Sequence, residues 1–144
     1  MRFQPDVFGA AFDVEASKDD SFWKGRLSDS YKGAAFGLYD GDLLIGLTGI
    51  YRHYDRMEDT AMLCMSYIRE EYRGKGLSDL LYRARIDWAK AQGDIRTLVV
   101  GHREGNEASR RANQQWGFIL TSIEDDYKFG NGDTAKHYTY ELKI

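Results

Sequence analysis

Cysteine and proline are nearly absent: Cys64 and Pro5 are the only examples in 144 residues. A lone thiol cannot form an internal disulfide, which points to a reducing, cytoplasmic setting. No apolar run approaches the ~20 residues of a membrane span, and the N-terminus lacks the apolar core of a signal peptide, so no membrane partner is expected. Positive charge is also short. Lys and Arg number 20 against 23 Asp and Glu, which argues against nucleic acid as a partner and leaves room for a cationic substrate. Apolar and charged fractions of 42% and 30% exclude a disordered chain. The length suits one domain with its own core, and a single domain over 1–144 is expected.

One stretch organises what is present. An apolar run with strand character ends at Ile68, a charged loop follows, then Arg73-Gly74-Lys75-Gly76, then an amphipathic pattern from Leu77 and Ser78 onward. The first N–H groups of a helix have no intrahelical partner and sit at the positive end of its dipole, so such a turn is an anion site. Glycine lets the backbone come close to a phosphate, and Arg73 and Lys75 add charge. The expected ligand group is a pyrophosphate.

Around this stretch the chain alternates. Asp19, Asp20 and Ser21 can cap a helix carrying Phe22, Trp23 and Leu27. Two apolar runs, 35–39 and 43–51, flank Asp40-Gly41 and read as a hairpin, and 60–68 reads as a third strand. The following helix places Leu77, Leu80, Leu81, Ala84, Trp88 and Ala91 on one face and stops at Gly93. A short strand over 96–100 should run parallel to the third, because strand–helix–strand units of this length cross over. Asn106 can cap a helix with Ala108, Ala112 and Trp116 on its apolar side, ending at Gly117. Strands over 118–123 and 136–142 complete the chain around a turn at Gly130-Asn131-Gly132-Asp133. The fold class is α/β, a mixed and mostly antiparallel sheet with a central parallel β-α-β step flanked by helices.

In this order the motifs resemble the GCN5-related N-acetyltransferase (GNAT) superfamily. That family binds the pyrophosphate of acetyl-CoA with a Gln/Arg-x-x-Gly-x-Gly/Ala segment between a strand and a helix. Two registers fit here: Arg73, Gly76 and Ser78, or Glu71, Gly74 and Gly76, each meeting two requirements of three. Asn106, Ser109 and Gly117-Phe118 match the family's second signature. The resemblance implies acetyl-CoA as co-substrate, held by Arg73 to Ser78 (Arg73, Gly74, Lys75, Gly76, Leu77, Ser78), by backbone of Tyr67 and Ile68, and by Asn106 and Ser109. It implies transfer of the acetyl group to an amine by direct attack, with a backbone N–H of the strand ending near Ile68 stabilising the oxyanion. The family starts with an extra strand and helix for which this N-terminus is short, so an exposed sheet edge, or a homodimer that covers it, is expected. Where many members carry a tyrosine that protonates the leaving thiolate, this chain has Asn113, which has no ionisable proton.

The base that takes the amine proton is open among His102, just past the 96–100 strand, its neighbour Glu104, and Glu58 at the start of the third strand. Each also reads as a solvated loop residue. His53 and His137 sit near strand ends and could line an acceptor pocket with Trp23, Tyr51 and Tyr127, although His137 with Tyr138 and Tyr140 also reads as an ordinary aromatic strand. Cys64 reads as a small buried side chain, since direct attack needs no covalent intermediate. A non-catalytic acyl-CoA-binding module is the competing class. A nucleotide-binding protein of another kind fits less well, because Gly74-Lys75-Gly76 lacks the longer phosphate-loop pattern.

Overall fold

The computed structural model describes residues 32–52 and 57–144. The expected helix at Phe22, Trp23 and Leu27, the short N-terminus and His53 lie outside the described residues. Within them, six strands form one sheet in the order β1-β2-β3-β4-β6-β5. These are β1 (Gly33–Asp40), β2 (Leu43–Arg52), β3 (Thr60–Ile68), β4 (Thr97–Arg103), β5 (Ile119–Lys128) and β6 (Thr134–Lys143). Helix α1 (Ser78–Gln92) joins β3 to β4, and α2 (Glu107–Gln115) joins β4 to β5. Every neighbouring pair is antiparallel except β3 with β4, which is the parallel step.

Local sequence accounts for the connections. Asp40 pairs with Leu43, so Gly41 and Asp42 form a two-residue hairpin loop, and Gly41 takes the left-handed conformation at φ 57°. Gly93, at φ 81°, closes α1 by returning its N–H to Lys90.

The core lies between the sheet and the two helices. Ile50, Ala61, Leu63, Leu98, Val100 and Tyr140 of the sheet meet Tyr82, Ile86 and Ala89 of α1 and Phe118 beyond α2. Burying each large apolar side chain here contributes about 1.5–3 kcal/mol before the entropy of ordering it is set against it.

The structure corrects several expectations. The buried stripe of α1 is Leu81, Tyr82, Arg85, Ile86 and Ala89, whereas Leu80 is 47% exposed and Ala91 faces solvent. Counting leucines rotated the predicted face. The 82, 86, 89 spacing fits the same helical period and carries the β-branched and aromatic bulk. Strand β4 is longer than 96–100 and extends to Arg103, because its outer half pairs with β6. His102 therefore lies inside β4, opposite Tyr138, and not beyond its end. Strand β5 likewise continues past Ile123 to Lys128.

Candidate functional site

The loop after β3 is tied down before it reaches the glycines. The Arg69 N–H donates to the Ile45 carbonyl at 2.8 Å, and Tyr72 donates its hydroxyl to Asp40 at 2.7 Å, fastening a short 3-10 turn (Glu70–Tyr72) to the β1–β2 hairpin. Arg73 folds back, with its Nε 2.8 Å from the Ile68 carbonyl and its guanidinium over the Tyr67 ring. Gly74 and Gly76 then adopt φ 76° and 75°, with no neighbouring atom within 4 Å of where a Cβ would stand. Among the described residues the N–H groups from Gly74 to Ser78 donate to no backbone carbonyl, and α1 has no side-chain cap. A run of unused donors, a helix dipole and the exposed Lys75 give this turn the chemistry that suits an anion.

Beside it the parallel strands part. Strands β3 and β4 pair only at Thr60–Thr97, Ala61–Leu98 and Met62–Val99. Beyond Met62 the ladder stops, and β3 carries an irregularity whose Met65, at φ 53°, is the one non-glycine residue with positive φ among the described residues. A bulge bends a strand and increases its twist, which takes β3 away from β4. The result is a gap that opens toward the carboxyl ends of both strands, between the N-termini of α1 and α2. Carboxyl ends of parallel strands are where ligands gather in α/β sheets.

The predicted residues fall at different distances from this gap. Asn106 caps α2, its Oδ1 accepting from the Ser109 N–H at 3.2 Å, so the capping reading holds and its amide nitrogen is left over. Both residues stand at the open end. Glu104 is exposed in the turn after β4, also at the open end. Glu58 precedes Thr60, at the closed end, a full strand of nine residues from the turn, or ~30 Å. His102 is 5% exposed, its ring stacked with Tyr138 and Tyr140 on the helix-covered face. Its Nδ1 lies 2.8 Å from the Arg103 carbonyl and must carry the proton, and its Nε2 accepts from the Tyr140 hydroxyl at 3.0 Å. Both nitrogens are engaged. Cys64 is part-exposed, against the expectation of a buried thiol, and its sulfur sits against Gly49.

Asn113 is completely buried and accepts from the Tyr82 hydroxyl. Tyr82 lies between the Trp116 ring, at 5.7 Å, and the Arg85 guanidinium, at 4.8 Å. Burial pushes the Tyr82 phenol up to about 12, with Arg85 opposing, and burial lowers Arg85 to about 10. The Asn113 amide nitrogen and the Arg85 Nη2 are buried without a partner.

Residues 3–118 match the model of the Acetyltransferase (GNAT) family. The chain belongs to this family. It is similar to a Bacillus subtilis protein provisionally named as the alanine N-acetyltransferase of ribosomal protein bS18, with 28% identity over 130 residues, covering 86% of this chain and 82% of that one. It is also 29% identical over 83 residues to a mycothiol acetyltransferase of Corynebacterium efficiens, a stretch that is 58% of this chain and 27% of that protein. Among solved structures, a Bacillus subtilis acetyltransferase in complex with CoA superposes at a TM-score of 0.69, with 19% identity over 88% of this chain and 84% of that one. That likeness is one of fold.

As a member of the GNAT family, the chain has a mixed sheet with its parallel step at the centre. Sequence reasoning missed the bulge at Met65, the Tyr82–Asn113 pair and the close seat of His137 on Gly101. Only the last left a signal, a glycine after Val99-Val100 inside a strand pattern, which marks a close approach.

Proposed function

We propose that the protein moves the acetyl group of acetyl-CoA to a primary amine of a small molecule or peptide, by direct attack within a ternary complex. The observation that carries this reading is the juxtaposition of the Gly74–Ser78 donor run with the parted ends of β3 and β4. The donor run and Lys75 hold the pyrophosphate, with Arg73 fixed beside them on Ile68. Asn106, through its spare amide, and Ser109 flank the pantetheine arm, and the backbone of Tyr67 and Ile68 forms the other wall. N–H groups on the free edge of β3 past the bulge supply the oxyanion donors. A CoA-bound protein of the same fold and an alanine N-acetyltransferase among the relatives support donor and acceptor class respectively.

A second reading, an acyl-CoA-binding sensor without turnover, draws on Asn113: a wholly buried amide gives the leaving thiolate no proton. Calorimetric titration with acetyl-CoA tests what both share, and absence of binding to the folded protein would sink both. Following CoA thiol release against an N-terminal-alanine peptide, a thiol-bearing amine and an aminoglycoside separates them. Turnover with any of these selects the enzyme.

A further inference from the structure

We propose that His137 is the group that takes the proton from the attacking amine. The inference rests on the acetyl-transfer reading above and names its base.

Strand alternation sorts the side chains near the gap onto two faces. Val100, His102 and Tyr140 point to the face that α1 and α2 fill, and Val100 and Tyr140 belong to the core. Gly101 and Arg103 point to the opposite face, and so does His137, which pairs with Arg103 across the β4–β6 ladder. None of the described helices packs there. Gly101 is two residues past Val99, the last β4 residue paired with β3, and therefore lies where the gap opens.

The imidazole of His137 rests directly on Gly101. A Cβ built on that glycine would stand 2.6 Å from both Cε1 and Nε2 of the ring. Tyr127 stacks on it at 4.3 Å and 21°, and Phe129 flanks it at 6.0 Å, so the ring is held. Arg103 lies over Phe129 and pairs with Asp133 at 3.4 Å, which closes the aromatic seat from the loop side. Among the described residues neither ring nitrogen of His137 is hydrogen-bonded, in contrast to His102, which uses both. The charged and titratable groups around it are Glu124 and Tyr127 of β5, His102 and Arg103 of β4, and Asp133 of the turn. Burial lowers its pKa below 6.5, Glu124 pulls the other way, and His102 adds to the lowering. The ring is neutral at neutral pH and can accept a proton.

In the step, the ammonium form of the amine gives one proton to the His137 imidazole, the freed nitrogen lone pair bonds to the thioester carbonyl carbon, and the second proton leaves to solvent as the amide forms. The C–S bond breaks with its electron pair on sulfur, which takes a proton from solvent. His137 then releases its own proton to solvent, so the imidazole is restored.

The test is CoA thiol release with acetyl-CoA and whichever amine of the panel above the wild type acetylates, from about pH 6 to pH 10. His137→Gln should lower kcat about 100-fold near pH 7 with the KM for acetyl-CoA unchanged, and the deficit should shrink near pH 10, where amines are already free bases. Gly101→Ala, which displaces the ring and leaves it in place chemically, should give a smaller loss of the same shape. A His137→Gln rate within about threefold of wild type near pH 7, or a loss equal at every pH, overturns the proposal. If the wild type acetylates no amine, the transfer reading falls while His137 is still judged by the 15N shifts of its ring. A ring protonated at about pH 8 overturns the assignment.

Discussion

The two turn glycines invite a substitution that isolates charge from conformation. At φ 75° only glycine is unstrained, but asparagine and aspartate tolerate that region about equally. Gly76→Asn therefore reports strain, and Gly76→Asp adds a carboxylate facing the pyrophosphate. Two unit charges about 4 Å apart repel by about 4 kcal/mol at an effective dielectric near 20, more than the ~1.4 kcal/mol that changes affinity tenfold. Acetyl-CoA should bind Gly76→Asp at least about tenfold more weakly than Gly76→Asn by calorimetry, and the difference should shrink as salt screens it. Equal affinities would mean that the turn holds no anion. Arg85 poses the opposite problem, a charge 1% exposed with one guanidinium nitrogen unpartnered. Its stacking on Tyr82 is worth about 2 kcal/mol when desolvated, and burying an unpaired ion costs several. The cost is the larger, so Arg85→Met should raise stability by about 1–3 kcal/mol in urea unfolding. A loss of stability would show that Tyr82 and the Leu81 carbonyl, which accepts from the Arg85 Nε at 3.0 Å, more than offset the burial of the charge.

At the scale of elements, periodicity made the strand and helix order legible, because alternation and glycine stops are local signals. The Asp40-Gly41 hairpin, the 60–68 strand and the Asn106 cap were read from a few residues each. What was not legible depends on partners distant in sequence. The outer half of β4 exists because β6 pairs with it, and β6 lies more than thirty residues away, so the strand looked as if it ended at Val100. The face of α1 turned on which side chains the sheet offers a matching surface. That distinction predicts unequal costs for two truncations in one helix. Ile86→Ala, at a side chain 6% exposed, should cost about 2–5 kcal/mol, and Leu80→Ala, 47% exposed, about 0.5 kcal/mol or less, both read by urea unfolding. Equal losses would put Leu80 back in the core.

Across the whole molecule, the sheet separates two jobs. One face is closed by α1 and α2 and supplies stability; the edge where β3 and β4 part, with the face bearing His137, carries the proposed site. The donor half was readable because an anion turn is contiguous in sequence. The proposed acceptor half is assembled from β4, β5 and β6, so Gly101, Tyr127 and His137 carry no shared local pattern. Placing a half-buried neutral imidazole on that face has a consequence for the fold as well as for chemistry. The folded pKa of His137 lies below the unfolded 6.5, so above that value the ring is neutral in both states and contributes nothing to pH dependence. As pH falls through 6.5 the unfolded chain binds a proton that the folded one resists, and stability drops. The thermal midpoint should therefore fall between about pH 7 and pH 5, and His137→Gln should flatten that part of the curve. A midpoint that rises on acidification in wild type alone would mean that Glu124 outweighs burial and that the ring is held as an imidazolium, a form that cannot accept the amine proton.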